Sequence, residues 1–284
     1  MDGVVLRAGE GEALVGGRIV IKASFDELCI TESLFPDARP GASPHFHRQH
    51  ADSFYVLEGG LAILIRDEEK LLSPGACACA PPHVVHGFRS TSRARFLNVH
   101  TPDGGFAENL RARDRGEAGA FDSFDAEVGS GPSASDAIFL NAGEGEPLEK
   151  DNRVATIKIG RDELSLVEFE LEPGFEGPDP HTHDDHVDSF YVLEGEADFL
   201  MENETLRLGA GSFVAAPIGV EHTFWNSGPE RGAAAQRART ELRVPRLSSQ
   251  ELNEAHAPRC VNQQPFSSSR KTTAFSPDCN TTSK

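Results

Sequence analysis

The chain carries one histidine-rich motif twice. It reads HFHRQHADSFYVLEG over residues 45–59 and HTHDDHVDSFYVLEG over residues 181–195. In each copy two histidines stand two positions apart, and an aspartate follows five residues after the second of them. Alternate residues of a β-strand project from the same face, so each histidine pair is predicted to leave one face of a sheet. This spacing is typical of metal ligands held on a sheet.

A third histidine completes each set. His86 and His222 each lie 41 residues after the first histidine of their own copy. The segments before them also match, GACACAPPHVVH over 75–86 and GSFVAAPIGVEH over 211–222, at the same offset of 136 as the first motif. One offset across both motifs indicates that each set belongs to a single spatial unit. The predicted metal ligands are His45, His47, Asp52 and His86 in the first copy and His181, His183, Asp188 and His222 in the second.

The remainder of both repeats consists of short apolar or alternating runs separated by turn residues. Arg18–Lys22 and Val154–Ile159 are one matched pair of predicted strands. A short helix is predicted over 105–111, and few other helical patterns occur. The chain is therefore predicted to be all-β, with two copies of one domain rather than a solenoid of small repeats.

The repeats also predict the domain limits. Residues 1–111 form the expected first domain and residues 136–245 the second. Residues 112–135 are rich in Gly, Ser and Asp without periodicity, which is typical of a linker. Residues 246–284 are rich in Ser, Thr, Asn and Pro, and we expect a disordered tail there.

Charge and composition exclude several partners. The net charge of −18 opposes binding to nucleic acid or to an anionic membrane surface. No apolar run approaches the roughly 20 residues that span a bilayer, and the first residues lack the features of a signal peptide. Five cysteines at irregular spacing form no framework, so a reducing, cytoplasmic location is expected. Cys77 and Cys79 are interpreted as small apolar residues that pack in the core.

These residues resemble the cupin superfamily, and in particular a bicupin, which has two jelly-roll barrels in one chain. The second copy follows the second cupin motif at Gly211, Pro217, Gly219, His222 and Asn226. The first copy departs from that motif at His83, where glycine is usual, and at Ser90, where asparagine is usual. Both copies have aspartate, Asp52 and Asp188, where the family has glutamate. The resemblance implies two tandem jelly-roll β-barrels joined by a short linker. Within the superfamily, the sequence FYVLEG, at 54–59 and 190–195, looks most like that of quercetin-dioxygenase-like members.

The change from glutamate to aspartate leaves two alternatives. The aspartate side chain reaches about 1.5 Å less far, so either its strand lies closer to the ion or the carboxylate acts from outside the ligand set. We expect Asp52 and Asp188 to be direct ligands. His50 and His186, three residues after each histidine pair, could replace them or act as proton shuttles, whereas the simpler interpretation is that they are loop histidines aimed elsewhere.

Three imidazoles and a carboxylate suit a divalent transition metal, namely Fe, Mn, Ni, Cu or Zn, and the sequence does not choose among them. The leading hypothesis is a metal-dependent oxidoreductase of dioxygenase type that acts on a small chelating organic molecule. The alternatives are a non-catalytic bicupin that binds metal or a small molecule, and an oxalate decarboxylase-like lyase. No general base is assigned. Since two barrels are already joined in one chain, a monomer or a small homo-oligomer is expected.

After Glu230 the second repeat loses its likeness to the first, and the LNVH of residues 97–100 has no counterpart. Read one nucleotide later, permitted codons for residues 232–250 encode ARLLNVHAPNCGFHDFLRR, which restores LNVH at a constant offset of 138. We therefore hypothesise a reading-frame shift near Glu230, which the encoding DNA would decide. Without a closing strand the second barrel would be weakened, unless residues 233–243 substitute for it.

Overall fold

In the computed structural model, the described residues are 2–131, 137–150, 152–228 and 241–245, with the main chain alone at Lys150 and 241–245. Strands dominate, as predicted, and the fold is that of two tandem jelly-roll barrels. No helix in this described part is long and apolar enough to cross a membrane. Residues 246–284, for which a disordered tail is predicted, lie outside the described residues.

The first repeat contains thirteen strands and one helix. They are β1 Val4–Leu6, β2 Glu12–Leu14, β3 Ile19–Ser24, β4 Cys29–Phe35, β5 Arg39–Pro40, β6 His45–Phe46, β7 Ala51–Glu58, β8 Leu61–Ile65, β9 Glu68–Leu72, β10 Cys77–Ala80, β11 His86–Ser90, β12 Ala94–Thr101, α1 Phe106–Asp114 and β13 Phe124–Asp125. The second repeat contains β14 Ile138–Leu140, β15 Glu146–Lys150, β16 Arg153–Gly160, β17 Ser165–Leu171, β18 His186–Tyr191, β19 Glu196–Met201, β20 Glu204–Gly209, β21 Phe213–Ala216, β22 His222–Trp225 and β23 Glu241–Pro245.

Each barrel packs a large sheet against a smaller one. In the first barrel the orders are β14-β10-β7-β12-β4-β3-β2 and β13-β6-β11-β8-β9, and β5 also pairs with β11. In the second they are β1-β21-β18-β23-β17-β16-β15 and β20-β19-β22. Alternate side chains of the facing sheets fill the interior, for example Phe54 and Ile63 in the first barrel and Phe190 and Phe199 in the second. The predicted alternation of apolar residues therefore builds both cores.

The two barrels exchange their edge strands. β1, at the start of the first repeat, pairs with β21 of the second barrel, with Val4 opposite Ala215. β14, at the start of the second repeat, pairs with β10 of the first barrel, with Leu140 opposite Cys77. The domain limits predicted at 111 and 136 follow the sequence repeat, whereas the sheets cross them.

The segment predicted as a linker also contains regular structure. The helix α1 extends to Asp114, and β13 pairs with β6, with Phe124 opposite Phe46. A strand of two residues is too short to show periodicity, so the sequence gives no sign of β13. The segment 112–131 therefore belongs partly to the first barrel, and residues 132–136 lie outside the described part of the chain.

A shared apolar core joins the barrels. It contains Leu28, Tyr55 and Leu97 from the first barrel and Tyr191 and Phe213 from the second. Cys77 and Cys79 also belong to it as free thiols, which agrees with their predicted packing role. Burial raises the pKa of the Cys77 thiol to about 12 and that of Cys79 to about 11, so both remain neutral at physiological pH.

Two buried polar triads connect the barrels across this core. Each has a lysine and a glutamate from one barrel and a tyrosine from the other, namely Lys22, Glu32 and Tyr191, and Lys158, Glu168 and Tyr55. Tyr55 Oη donates to Glu168 Oε1 at 2.7 Å, and Tyr191 Oη donates to Glu32 Oε2 at 3.2 Å. The lysine nitrogen lies 3.0 Å from the glutamate in the first triad and 3.6 Å in the second. Each glutamate therefore has a lysine of opposite charge and a tyrosine hydroxyl that donates to it.

The strand β23 closes the second barrel. It pairs with β17 and β18, as β12 pairs with β4 and β7 in the first barrel. The closing strand spans five residues in the second barrel and eight in the first. A strand at 241–245 thus closes the barrel after the sequence repeat stops matching. It overlaps the end of the segment 233–243 that the sequence offered as a substitute, and residues 233–240 lie outside the described part of the chain.

Candidate metal centres

The first candidate centre lies inside the first barrel, where β6, β7 and β11 meet. β6 supplies His45, the turn after it supplies His47, β7 supplies Asp52, and β11 supplies His86. His86 stands directly opposite His45 in the β6–β11 pairing. All four side chains are buried, and one candidate ligand atom from each lies within 4.8 Å of the others. The histidine pair departs slightly from the sequence prediction, because the strand ends at Phe46 and His47 follows it in a turn.

Hydrogen bonds to main-chain carbonyls orient the three imidazoles. Nδ1 of His45 donates to Ser43 O at 2.8 Å, and Nδ1 of His86 donates to Val84 O at 2.9 Å. Nδ1 of His47 donates to Asp122 O at 2.5 Å. A carbonyl oxygen can only accept, so the proton is assigned to Nδ1 and the lone pair to Nε2 in each ring. This is the arrangement in which histidine presents Nε2 to a metal.

The electrostatics of the first centre favour a neutral His45 ring and a charged Asp52 carboxylate. Burial lowers the pKa of His45 to about 4. Burial by itself would raise the pKa of the Asp52 carboxyl, but His100, His47 and His86 outweigh it and hold that pKa well below its usual value. Neutral imidazoles and an ionised carboxylate are the forms that bind a divalent cation.

The carboxylate of Asp52 is held from both sides. Its Oδ2 lies 3.2 Å from His86 Nε2 and 3.8 Å from His47 Nε2. Its Oδ1 accepts a short hydrogen bond from the Asn98 amide, and Asn98 Oδ1 in turn accepts from His100 Nε2 at 3.0 Å. One oxygen therefore faces the imidazoles while the other is held by β12. The structure brings Asp52 into the donor group, and its role as a direct ligand stays a prediction.

The second candidate centre repeats this geometry in the second barrel. His181, His183, Asp188 and His222 also offer ligand atoms within 4.8 Å of one another. Nδ1 of His181 donates to Asp179 O at 2.8 Å, and Nδ1 of His222 donates to Val220 O at 3.0 Å. Asp188 Oδ2 lies 3.2 Å from His183 Nε2 and 3.3 Å from His222 Nε2. The eight residues predicted from the two motifs thus fall into two groups of four.

His50 and His186 stack on the second histidine of each pair. The ring centroids of His47 and His50 lie 3.9 Å apart with planes at 25°, and those of His183 and His186 lie 3.7 Å apart at 31°. The interpretation as loop histidines aimed elsewhere is therefore wrong. His47, His50 and His100 also offer ligand atoms within 4.8 Å of one another, so His50 lies beside the first donor group. A role as proton shuttle stays a prediction for both residues.

Several neighbours of the first centre were missed by the sequence interpretation. Asn98 and His100 lie on β12, and their spacing of two is the same signal that singled out His45 and His47. Phe121 and Asp122 come from the segment interpreted as a linker, in which no residue pattern points to a site. Burial lowers the pKa of His50 to about 3, so this ring is neutral as well.

Two departures from the second cupin motif have local explanations. His83, at a glycine position, has φ of 66°, and its counterpart Gly219 has φ of 81°. Both positions therefore need the left-handed conformation, and His83 adopts it at a steric cost of about 1 kcal/mol. Ser90 Oγ donates to Asp37 O at 2.8 Å, and the asparagine at the matching position, Asn226, donates to Leu171 O at 3.0 Å. A shorter polar side chain thus makes a similar bond to the main chain.

Comparison with known proteins relates both repeats to one family. A family model described as the cupin domain matches residues 34–100 and 167–234. A quercetin 2,3-dioxygenase of Bacillus subtilis is 23% identical over 264 residues, which cover 78% of this chain and 77% of that protein.

Solved structures show the same fold at low identity. A putative glyoxylate-induced protein of Pseudomonas aeruginosa has a TM-score of 0.61 at 16% identity, covering 86% of this chain and 88% of that one. An oxalate decarboxylase of Lactobacillus farciminis, solved as a formate complex, has a TM-score of 0.50 at 14% identity, with 80% of each chain covered. At this identity the likeness concerns the fold alone.

Proposed function

Because this chain is a bicupin, a member of the cupin superfamily with two barrels in one polypeptide, we propose that it is a metal-dependent oxidoreductase of dioxygenase type. Its substrate would be a small organic molecule that chelates the metal. The observation that carries this proposal is the pair of His₃Asp groups, each with all candidate ligand atoms within 4.8 Å inside a barrel. The distant likeness to a quercetin 2,3-dioxygenase supports the same reaction class.

The donor groups fit a divalent transition metal. Three imidazoles together with a carboxylate suit Fe, Mn, Ni, Cu or Zn. His47 Nε2 makes no hydrogen bond to any described residue, although it is buried, and a metal would supply the missing partner. When bound, such an ion supplies Lewis acidity and open positions for a chelating substrate. The residues proposed to hold it are His45, His47, Asp52 and His86, and His181, His183, Asp188 and His222.

The chain's own groups set the chemistry around the ion. The Nδ1 bonds to main-chain carbonyls fix five of the six rings, all but that of His183, so these ligands need little rearrangement on binding. His186 is the better placed of the two stacked histidines to carry a proton, since its Nε2 lies 3.4 Å from Asp188 Oδ1 and its Nδ1 lies 2.6 Å from Asp185 Oδ1. We propose that His186 moves protons between the second centre and solvent, and that His50 does so at the first.

A non-catalytic metal-binding or small-molecule-binding bicupin is the second candidate. The complete burial of the first centre favours it for that barrel, because a substrate needs access. An oxalate decarboxylase-like activity has weaker support, because the likeness to such an enzyme is one of fold and aspartate stands in place of the usual glutamate.

Elemental analysis and oxygen uptake test the proposal together. Protein purified without added metal should contain one of the five metals, and it should consume oxygen when a flavonol or another chelating substrate is added. The variants His47→Ala and His183→Ala should each lower the metal content by about one ion per chain. Tight substrate binding without oxygen consumption would favour the non-catalytic alternative, and protein that takes up no transition metal would contradict both.

A cytoplasmic location and a monomeric or small homo-oligomeric state belong to the same proposal. The three described cysteines are free thiols, which supports a reducing compartment.

A further inference from the structure

We propose that the two centres differ in access. The second-barrel centre would exchange its ion and substrate with solvent, whereas the first-barrel centre would be a closed ion site under residues 121–126, here called the closing segment. This inference rests on the metal-binding part of the proposed function. It assigns the substrate-facing role to the second barrel.

Exposure distinguishes the two groups of ligands. The side chains of His47 and His86 are each 1% exposed, and that of Asp52 is 5% exposed. In the second barrel, the His183 side chain is 17% exposed, and so is that of His186, which stacks on it. His181 is also only partly buried, whereas its counterpart His45 is buried. Two of the three histidines of the second centre are therefore partly exposed, whereas all three of the first are buried, with His45 the most accessible of them at 8%.

The closing segment accounts for this difference. Phe121 lies over the first centre, with its ring centroid 5.2 Å from that of His47 and 5.4 Å from that of His50. The main-chain oxygen of the next residue, Asp122, accepts the Nδ1–H of His47. The segment thus contacts a candidate ligand directly as well as covering it.

Polar contacts fix the closing segment to the turn that carries His47. Asp122 Oδ2 accepts the main-chain N–H of Arg48 at 2.9 Å and of Gln49 at 2.8 Å, and it lies 3.3 Å from His50 Nδ1. Beyond it, β13 pairs with β6, and Ala126 N donates to Pro44 O at 3.1 Å. The Arg48 guanidinium lies 3.8 Å from the centre of the Phe124 ring. Opening the first centre would break all of these contacts together.

The described part of the second barrel has no equivalent of this cover. No described main-chain carbonyl accepts a hydrogen bond from His183, whose Nε2 faces Asp188. The first centre is closed from another side as well, because Phe106 stacks on His100 at 3.7 Å between ring centroids. Within the described residues, the two centres therefore share their donor groups but not their surroundings.

Chemical labelling of histidines tests access without depending on a metal. Diethyl pyrocarbonate would be applied to the full chain, both as purified and after dialysis against a chelator, and the modified histidines would be located by mass spectrometry of peptides. His181 and His183 should react about tenfold or more faster than His45 and His47, because labelling follows local opening. Equal rates in the two barrels, or faster labelling of the first, would overturn the proposal.

Variants in the closing segment test its role. Asp122→Ala removes the acceptor for two main-chain N–H groups and should speed labelling of His47 and His50 about tenfold without changing His183. Asp125→Ala is the matched control, because this carboxylate lies on the same segment and is exposed. Asp122→Asn keeps an acceptor oxygen and should restore much of the protection. No change in Asp122→Ala, or an equal increase in both barrels, would contradict closure by this segment.

Removal of bound metal gives an independent measure. Protein loaded with Co(II) should lose its ions to a chelator in two phases, and His183→Ala should abolish the fast phase while His47→Ala abolishes the slow one. A single phase, or the reverse assignment, would overturn the proposal. If the protein binds neither Co(II) nor any of the five metals named above, the proposed function fails, and the labelling ratio still decides whether the first centre is closed.

Discussion

At both centres an aspartate stands where the cupin pattern has a glutamate, and one oxygen of each lies 3.2 Å from an imidazole nitrogen. The second oxygen has different partners in the two barrels. Asn98 donates to it in the first, and His186 Nε2 lies 3.4 Å from it in the second. In the first barrel the shorter side chain is thus held by Asn98, which lies outside the donor group and should affect metal affinity.

Replacing Asn98 tests this role. Asn98→Ala removes the amide that holds Asp52, and we expect the first centre to bind metal about 10- to 100-fold more weakly, the usual cost of losing an outer partner of a ligand. Titration calorimetry would measure it in a His183→Ala background, in which only the first centre binds. Affinity at the second centre, measured in a His47→Ala background, is the control. An unchanged first-centre affinity would show that Asp52 needs no such support.

The buried imidazoles also predict how stability depends on pH. The pKa values of about 4 for His45 and about 3 for His50 lie below the ordinary histidine value of about 6.5, because burial disfavours the charged ring. The unfolded chain therefore binds more protons in this range, so stability is highest above pH 6.5 and falls as the pH drops toward 4.

Urea unfolding of metal-free protein would measure this effect at pH 7 and pH 5. The midpoint should be lower at pH 5, and His50→Phe, which keeps a ring beside His47, should reduce the difference. A midpoint that rises at pH 5 would contradict the assignment of neutral buried imidazoles.

The strand exchange makes each barrel depend on the other repeat. β1 covers the edge of β21, and β14 covers the edge of β10. β1 comprises only three partly buried residues, Val4–Leu6, yet its removal would leave residues 213–215 without their pairing strand on one side.

Truncation tests this dependence. Deleting residues 2–7 should destabilise the second barrel, although the deletion lies at the start of the first repeat. Hydrogen exchange followed by mass spectrometry should show faster exchange over 213–216, while the matching strand at 77–80 keeps its protection. Faster exchange confined to the first barrel would argue against the exchanged pairing.

The sequence predicted the donor groups because each copy keeps its ligands at fixed spacing, His45 and His47 on one side and His86 on the other. It did not predict the closing segment. The contact between His47 and Asp122 joins residues 75 positions apart, and the strand that follows Asp122, β13, is only two residues long. It also missed β1 as part of the second barrel, since a three-residue apolar run carries no information about its partner strand. Pairing between distant strands is decided by packing of the whole fold.

The two buried triads couple the barrels. Tyr55 Oη is the nearest donor to Glu168, at 2.7 Å, and Lys158 lies 3.6 Å from the same carboxylate. Glu32 has more partners, because Arg95 donates to it at 3.2 Å in addition to Tyr191 and Lys22. The triad centred on Glu168 should therefore be the more sensitive of the two.

Removing one hydroxyl tests this coupling. Tyr55→Phe should lower the free energy of unfolding by about 1–3 kcal/mol, because a buried charged acceptor loses a donor. Tyr191→Phe is the matched variant and should cost less, since Glu32 keeps its arginine. Chemical unfolding of both variants beside the parent protein would measure the two values, and an equal or reversed order would contradict the difference between the triads.

The exchange of β1 and β14 also constrains how the chain can be made and divided. During synthesis, the sheet of the first barrel cannot be completed until residue 140 has left the ribosome, although its repeat ends about thirty residues earlier. Cutting the gene within codons 112–135 would give two halves, each lacking the edge strand that the other half carries. The halves should therefore be expressed together if they are to be recovered as folded protein.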